Sequence, residues 1–289
     1  MSQAANPTGV IAGKASGGSF KYKSSNSVFV TTVDSRAGIQ NSGTGGDVVL
    51  VSTGGGIGQD QPISTSPVAG GDGFGVSLTA AGGSDVSLSN VSNNFSKVAA
   101  SSGSGSITIV NGADLAVGTV DSKQGVSTSG NYVSIQVPAS HTLSVIDPIY
   151  VGEGSTAVIK LAGGTIDLSG YGDPFLGWQV VQGDAVTYKT ASAVALNADQ
   201  ISFGSVGLRA ESEIAIAPFT SGNGIDVGAG VAREAEIAAA VRALDAKDIA
   251  TVGSLPHARV FSALLKAAGD VAAARGLLAE ENKTVDRVK

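Results

Sequence analysis

The sequence predicts an all-β fold, a parallel β-helix over residues 1–230, followed by a small α-helical hairpin over residues 231–289. Three observations lead to this prediction. Short strands of alternating apolar and polar residues recur along the chain, similar strands are spaced by twenty-odd residues, and the composition changes at Val231. Each of them is a physical signature of a stacked coil or of an amphipathic helix.

The strands are short runs with a period of two, each followed by Gly, Asn, Asp or Ser, which is the pattern of half-buried strands between turns. No helical pattern of normal length separates them, which argues against a βαβ architecture. Gly, Asn and Asp at the corners suit turns that need a positive φ. The predicted strands lie at residues 27–33, 47–52, 75–80, 85–89, 106–110, 132–137, 157–161, 165–169, 200–203 and 213–217.

The spacing of the strands distinguishes a solenoid from other all-β folds. Val86, Ile107 and Val133 begin the alternating runs of three successive strands of one type, and the intervals between them are in the twenties. A sandwich or barrel shows strands about every 8–12 residues. A period in the twenties fits coils of two or three strands, which stack about 4.8 Å apart.

The composition fits a β-helix with a narrow interior, and it argues against several classes of function. Aromatic residues are 5% of the chain, with one Trp, and the apolar residues are mostly small or β-branched. The net charge of −6 argues against nucleic-acid binding. The absence of Cys excludes disulfides, thiolate metal sites and Cys nucleophiles. No apolar run is long enough for membrane insertion, and the N-terminus lacks a signal-peptide pattern.

The segment from Val231 onward differs physically from the rest. It holds 9 Lys or Arg and 8 Asp or Glu, whereas the segment before it holds 9 basic and 16 acidic side chains. An apolar stripe at helical spacing predicts a hairpin that caps the β-helix, binds a partner or drives self-association. The stripe consists of Ile237, Val241 and Leu244 in the first helix, and of Val260, Leu264, Ala267, Val271, Ala274 and Leu278 in the second.

The glycine-rich stretch GGDVVLVSTGGGIGQ, residues 45–59, resembles a phosphate-binding loop at first sight. Counting from Gly54 or Gly56, however, Gln59 or Gln61 occupies the third glycine position of a dinucleotide fingerprint. The residues that follow include Pro62 and Pro67 and show no helical period, so a helix N-terminus for the phosphate is missing. The stretch is therefore interpreted as a coil corner.

Few residues suit catalysis or metal binding. His141 with Ser140 or Ser144 and Asp147 resembles a hydrolase triad in content, but neighbours on one strand cannot converge. His141 is therefore interpreted as a solvated corner residue. The calcium-repeat pattern is incomplete in residues 70–75 and 221–226 and has no tandem copy. No enzyme activity, metal or cofactor is expected.

One region combines aromatic rings with carboxylates. Tyr171, Asp173, Trp178 and Asp184 lie close together in an otherwise aromatic-poor chain. Rings beside carboxylates suit sugar stacking and, in some β-helices, glycoside cleavage. The same aromatics also suit a hydrophobic plug beneath a loop. These four residues form the candidate sugar platform, and a plain turn is the alternative.

The repeats GGGIGQ, PISTS, GVSLTAAGGSDVSLSN and LAGGTIDLSG resemble those of filamentous-haemagglutinin-like exoproteins, bacterial surface proteins exported by two-partner secretion. The resemblance covers roughly residues 20–230. It implies a right-handed coil, an extracellular or outer-surface location, and a non-enzymatic adhesin or display stalk that binds a host or matrix carbohydrate or protein surface. The chain would then be a fragment of a larger exoprotein. A carbohydrate-binding or carbohydrate-cleaving β-helix of lyase or tailspike type is the alternative.

Overall fold

In the computed structural model, the described residues are 9–42, 46–65, 74–130, 132–152, 157–169, 176–182, 185–203, 210 and 213–224. For residues 176–182 and 185–190 only the backbone is described. These parts of the chain consist of strands, turns and bends and contain no helix. The prediction of an all-β fold is confirmed for them.

Twenty-four strands follow one another in the described part of the chain. Most are short, because a turn residue soon interrupts each alternating run. The strands are β1 Val10–Ile11, β2 Gly13–Ala15, β3 Phe20–Ser24, β4 Val28–Val30, β5 Thr32–Val33, β6 Arg36–Ala37, β7 Ile39–Asn41, β8 Val48–Ser52, β9 Ile57–Gln59, β10 Ile63–Thr65, β11 Gly75–Thr79, β12 Val86–Leu88, β13 Lys97–Ser102, β14 Ile107–Val110, β15 Leu115–Val117, β16 Val126–Thr128, β17 Tyr132–Gln136, β18 Thr142–Val145, β19 Ile149–Tyr150, β20 Val158–Asp167, β21 Leu176–Gln182, β22 Ala185–Thr190, β23 Ala193–Ser202 and β24 Glu213–Ala217.

The strands pair into three columns that the chain visits in turn. Column 1 contains β1, β4, β9, β12, β14, β17, the first halves of β20 and β23, and β24. Column 2 contains β2, β7 and β10, and further along the chain the first two residues of β13, then β15, β18 and the second halves of β20 and β23. Column 3 contains β3, β8, β11, β13, β16, β19 and β21.

This cyclic order of parallel pairings is solenoid-like and consistent with a parallel β-helix. In column 1, Val86 lies opposite Ile107, and Ile107 lies opposite Val133. The predicted spacing in the twenties is therefore confirmed as the pairing distance between these coils. The coils from Val28 to Ile57 and from Ile57 to Val86 are longer, whereas the first described coil, from Val10 to Phe29, is shorter.

The core is a stack of inward-facing aliphatic side chains. In column 1, Val28, Val86, Ile107 and Val133 are fully buried. The residue after each of them faces outward, as at Ser87, which is exposed. Because neighbouring coils place like residues over one another, β-branched side chains fill the narrow interior without large aromatics.

A ladder of buried hydroxyl groups lines the corner between columns 3 and 1. The Ser52 hydroxyl accepts a hydrogen bond from Gly55 N (3.0 Å) and donates one to the carbonyl of Asn26 (2.8 Å) in the preceding coil. Each such hydroxyl pairs backbone groups that the turn leaves without strand partners. The same inward position is held by Ser24, Ser102 and Thr128 in other coils, and by Ala80 in one.

Buried side-chain amides link coils at the corner between columns 1 and 2. Gln59 Nε2 donates to Asn93 Oδ1 over 2.9 Å, and Asn93 Nδ2 donates back to Gln59 Oε1 over 3.1 Å. Asn93 also donates to the carbonyl of Val110 and accepts from Ile63 N. Asn111 of the following coil, also fully buried, makes similar backbone contacts.

The glycines at most corners are required by close packing between coils. A Cβ on Gly54 would lie 2.0 Å from the carbonyl oxygen of Ser25, and one on Gly105 would lie 2.2 Å from that of Ser84. Neither glycine has a positive φ. The expectation that corner glycines serve positive φ is wrong at these corners and holds at Gly38 and Gly125, whose φ values are 68° and 61°.

One part of column 3 departs from the parallel pattern. β21 joins β19 in parallel and then turns back to pair antiparallel with β22, with Trp178 opposite Lys189. The chain therefore inserts a hairpin there before it returns to column 1 at β23. The register offset from Ile159 to Val194 is the largest in column 1 because of this insertion.

The predicted helical hairpin over residues 231–289 lies outside the described residues, and so does the boundary at Val231. The chain divides into two units, Met1–Asp226 and Val227–Lys289, and all described residues belong to the first. Among the described residues, no helix is long and apolar enough to cross a membrane. The hairpin and its proposed roles remain predictions.

Candidate functional site

Most of the candidate sugar platform lies outside the described residues. This applies to Tyr171, Asp173 and Asp184, and for Trp178 the backbone alone is described, within β21. The grouping of these four residues therefore remains a prediction. The backbone places Trp178 in the inserted β21–β22 hairpin, where the chain departs from the parallel stack.

His141 lies in the turn before β18, at a coil corner as expected. Its Nδ1 is 3.0 Å from Asp114 Oδ1, and that same carboxylate oxygen accepts a hydrogen bond from Thr142 N over 2.8 Å. The Asp114 side chain is 75% exposed, so water screens this pair and leaves it weak. The sequence did not reveal Asp114 as the partner of His141, because Asp114 lies one coil before His141.

Asp147, the carboxylate of the possible hydrolase triad, is hydrogen-bonded to other side chains. Asp147 accepts hydrogen bonds from Thr119 Oγ1 (2.7 Å) and Gln124 Nε2 (2.9 Å). A triad requires the carboxylate to orient the histidine, and here the carboxylate beside His141 belongs to Asp114. The interpretation of His141 as a corner residue therefore agrees with its surroundings.

The glycine-rich corner after β8 is filled by packed backbone. Beyond the close approach at Gly54, a Cβ on Gly55 would lie 2.2 Å from Ser27 Oγ, and one on Gly56 would lie 2.6 Å from the Asp85 carbonyl oxygen. The N–H of Gly55, which would face an anion in a phosphate loop, already binds Ser52. The corner connects stacked coils, as the sequence predicts.

Carboxylates in the described residues are dispersed, and several accept hydrogen bonds from backbone N–H groups. Asp47 accepts from Gly75 N and Asp85 from Ser106 N, each in a neighbouring coil. Among the described residues no group of three or more His, Asp or Glu side chains could hold a metal ion. The two calcium-like stretches lie partly outside these residues, and Gly75, the last residue of the first, begins β11.

A repeated surface hairpin is the feature that the sequence analysis missed. TVDSRAG at residues 32–38 and TVDSKQG at residues 119–125 are the same motif. We call residues 31–38 hairpin A and residues 118–125 hairpin B. Their central pairs, Asp34–Ser35 and Asp121–Ser122, have φ values of 48° and 65° and of 47° and 66°. Two successive positive φ values define a tight hairpin turn that matches strand twist.

The two hairpins also share their attachment to the stack. A Cβ on Gly38 would lie 2.1 Å from the carbonyl oxygen of Pro62, and one on Gly125 would lie 2.2 Å from that of Pro148. An Asp in the following coil accepts from a hairpin threonine in each case, over 2.9 Å at Asp60 and 2.7 Å at Asp147. Each hairpin thus contacts the coil that follows it in the chain. A comparison of residues 32–38 with residues 119–125 would have revealed the repeated sequence.

Hairpin B lies over the outer surface of column 3. The outward residues Val49, Ser77 and Ala99 face one another on β8, β11 and β13 and are buried, as is Val120 of the hairpin. Val120 is so close to Gly75 that a Cβ there would lie 2.5 Å from Val120 Cγ2. Hairpin B therefore covers an outer row that would otherwise face solvent.

Two lysines link hairpin B to column 3. Lys21, the first residue of this outer row, forms a 2.6 Å ion pair with Asp121 across a long stretch of intervening sequence. Lys123 Nζ donates to Ser101 Oγ over 2.7 Å. Burial lowers the pKa of Lys123, because desolvation disfavours its charged form. In hairpin A, in contrast, Arg36 at the position of Lys123 is exposed, and Val33 at the position of Val120 is half-buried.

Asp199 is the other group with a shifted pKa. Hydrogen bonds from the side chain and the backbone of Thr220 lower the pKa of its carboxyl, and Asn223 contributes further. These hydrogen bonds hold the turn that follows β24 against Asp199 on β23, and this turn is the cause of the lowered pKa. Such a shift is structural in origin.

Many polar groups of the described residues therefore hold corners and hairpins in place. No family model, curated protein or solved structure matches this chain.

Proposed function

We propose that residues 1–230 form a right-handed parallel β-helix that acts as a non-enzymatic, adhesin-like or structural shaft on a cell surface or in a secreted exoprotein. The resemblance to filamentous-haemagglutinin-like repeats supplies the handedness, the location and the membership of a larger exoprotein. Its partner would be a carbohydrate or protein surface of a host or matrix.

The observation that carries this proposal is that the interior of the coils is aliphatic, whereas part of the outer surface is a row of small polar residues. Aliphatic side chains stack from Ile11 to Ile201 in one buried core. Outside, column 1 presents a row of small polar residues, including Ser87, Thr108 and Ser134. Such rows repeat at the coil spacing and suit contacts spread over a long partner.

The test is a binding screen with the purified full chain against immobilised matrix proteins and glycans. Saturable binding is expected, and it should weaken when Ser87, Thr108 and Ser134 are replaced together by glutamate. Ala81→Glu, at a corner away from that row, serves as the control for added negative charge. Binding that is absent from every surface, or that the triple variant leaves unchanged, would contradict a role for column 1.

A carbohydrate-binding or carbohydrate-cleaving role is the second candidate, and the β21–β22 insertion favours it. The hairpin contains Trp178, the single Trp of the chain, within the candidate sugar platform. Titration with acidic and neutral polysaccharides should then change the tryptophan fluorescence. Release of oligosaccharides that Asp173→Asn or Asp184→Asn abolishes would establish cleavage and overturn the non-enzymatic proposal.

A further inference from the structure

The last described strand of column 1 exposes side chains that the rest of the column buries. Ile214 and Ile216 of β24 lie opposite Val194 and Leu196 of β23, which are fully buried. Ile214 is nevertheless 43% exposed and Ile216 41% exposed. In the described part of the chain no further coil stacks on them.

The backbone of β24 is also open on that side. Glu213 N donates to the Ser192 carbonyl in the coil of β23. Since successive residues of a strand point their N–H and C=O groups to opposite sides, those of Ile214 and Ile216 point away from β23. Within the described residues β24 pairs with β23 alone. It is an edge strand whose polar groups are ready to pair with another strand.

The first strand of column 1 has the complementary edge. Gly9 O and Ile11 O accept hydrogen bonds from Phe29 N and Thr31 N of the next coil. The N–H and C=O of Val10 consequently point away from β4, to the open side of β1. Val10 is 55% exposed and Phe29 42% exposed, which places apolar surface at this edge as well.

Among the described residues, the first and last segments of the stack carry opposite net charge. Residues 9–42 contain four basic side chains against the single carboxylate of Asp34. Toward the other end, the described residues from 193 onward contain Asp199 and Glu213 and no Lys or Arg. Opposite fields at the two ends favour contact between unlike ends and disfavour contact between like ends. The four basic residues are Lys14, Lys21, Lys23 and Arg36.

We propose that the partner of the β24 edge is a second copy of this chain, whose β1 adds to it in parallel and continues column 1. The contact is head-to-tail, so each copy keeps one open end and assembly proceeds to a filament. The inference goes beyond the shaft function proposed above and is independent of any ligand.

Hairpin A supports this arrangement. Hairpin B shows that the shared motif can lie over the outer surface of preceding coils, with Val120 buried and Asp121 paired to a lysine. Hairpin A has a single coil before it among the described residues, and its Val33, the counterpart of the buried Val120, is only half-buried. In a head-to-tail pair, the last coils of the neighbouring copy supply the outer surface that hairpin A lacks.

The test uses two full-length variants that block one edge each. Val10→Pro removes the N–H on the open side of β1, and Ile216→Pro removes one on the open side of β24, while the bonds to β4 and β23 use other residues. Val10→Ala and Ile216→Val keep these N–H groups and are the matched controls. Sedimentation velocity over about two decades of protein concentration measures the mass of each.

Wild type and both controls are expected to form species that grow with concentration and shrink with added salt. Each proline variant alone should stay at the 28.4 kDa monomer. A mixture of the two should give a dimer and nothing larger, because one intact head meets one intact tail. A dimer of either proline variant by itself, or a wild type that remains monomeric throughout, would overturn the proposal.

Discussion

At Gly54 a methyl group would lie 2.0 Å from the carbonyl oxygen of Ser25 in the preceding coil. The obstruction is backbone that pairs between coils, so it cannot move aside cheaply. Gly54→Ala should therefore destabilise the protein by about 1–3 kcal/mol. Urea unfolding followed by circular dichroism measures this. Gly17→Ala is the control, since a Cβ there meets nothing within 4 Å, and equal losses for both would contradict the packing argument.

The hydroxyl ladder makes a second residue-scale prediction. Ser52→Ala leaves the buried N–H of Gly55 without its acceptor. An unsatisfied buried donor costs about 1–3 kcal/mol. The midpoint of urea unfolding should fall accordingly, whereas Ser87→Ala on the exposed side of column 1 should change it little. A Ser52→Ala protein as stable as wild type would mean that water replaces the hydroxyl.

The turn after β24 should respond to acid. The pKa of Asp199 is lower in the folded protein than its ordinary value of 3.8, mainly because of Thr220. Its stabilising effect is therefore complete above that value and is lost as the pH falls through the lower folded pKa. Hydrogen exchange at Thr220 N–H, corrected for its intrinsic pH dependence, should accelerate below about pH 4. In Asp199→Asn that extra acceleration should be absent.

The hairpins give a matched comparison at the scale of elements. Val120 of hairpin B is 3% exposed, whereas Val33, its counterpart in hairpin A, is only half-buried. Removal of two methyl groups at Val120 should cost about 1.6 kcal/mol by area burial alone.

Val120→Ala should accordingly lower stability and speed hydrogen exchange at Lys123 N–H, which bonds to Val120 O. Val33→Ala should have a much smaller effect on stability, because its side chain is only half-buried. If the two variants lose equal stability, hairpin B does not depend on its contact with column 3.

At the scale of the whole molecule, stability should vary along the stack. Ile135 and Ile216 occupy the same inward position of column 1, because Ile135 pairs with Leu161, Leu161 with Leu196, and Leu196 with Ile216. Ile135 is fully buried and Ile216 is 41% exposed. Ile135→Ala should cost about 2–5 kcal/mol, as in other cores, and Ile216→Ala clearly less. Equal costs at low protein concentration would show that β24 is covered.

Much of the stack was accessible from the sequence because aliphatic alternation is a local signal. Val86, Ile107 and Val133 were separated by distances that proved to be pairing offsets. β13, with the sequence KVAASS, was missed because Ala and Ser face both sides and hide the alternation. The outward Ala99 is buried in the row over which hairpin B, from a later coil, lies.

The surface contacts were harder to predict for a related reason. The partners Lys21 and Asp121, or His141 and Asp114, lie in different coils, and the corner lengths decide which residues meet. Sequence spacing alone does not give corner lengths. The repeated TVDS motif was a usable signal, but it indicates a hairpin and does not show which surface that hairpin covers.

The amide pair between Gln59 and Asn93 has a consequence for how the chain avoids misfolding. Aliphatic columns of Val, Ile and Leu would stack almost equally well if one coil slid by two positions along its neighbour. Such a slip would separate the two amides and bury their hydrogen-bonding groups beside hydrocarbon. The pair therefore favours one alignment of these coils over a shifted one. If Asn93 were replaced by leucine, this preference would be lost, and misaligned coils would form a kinetic trap at this position.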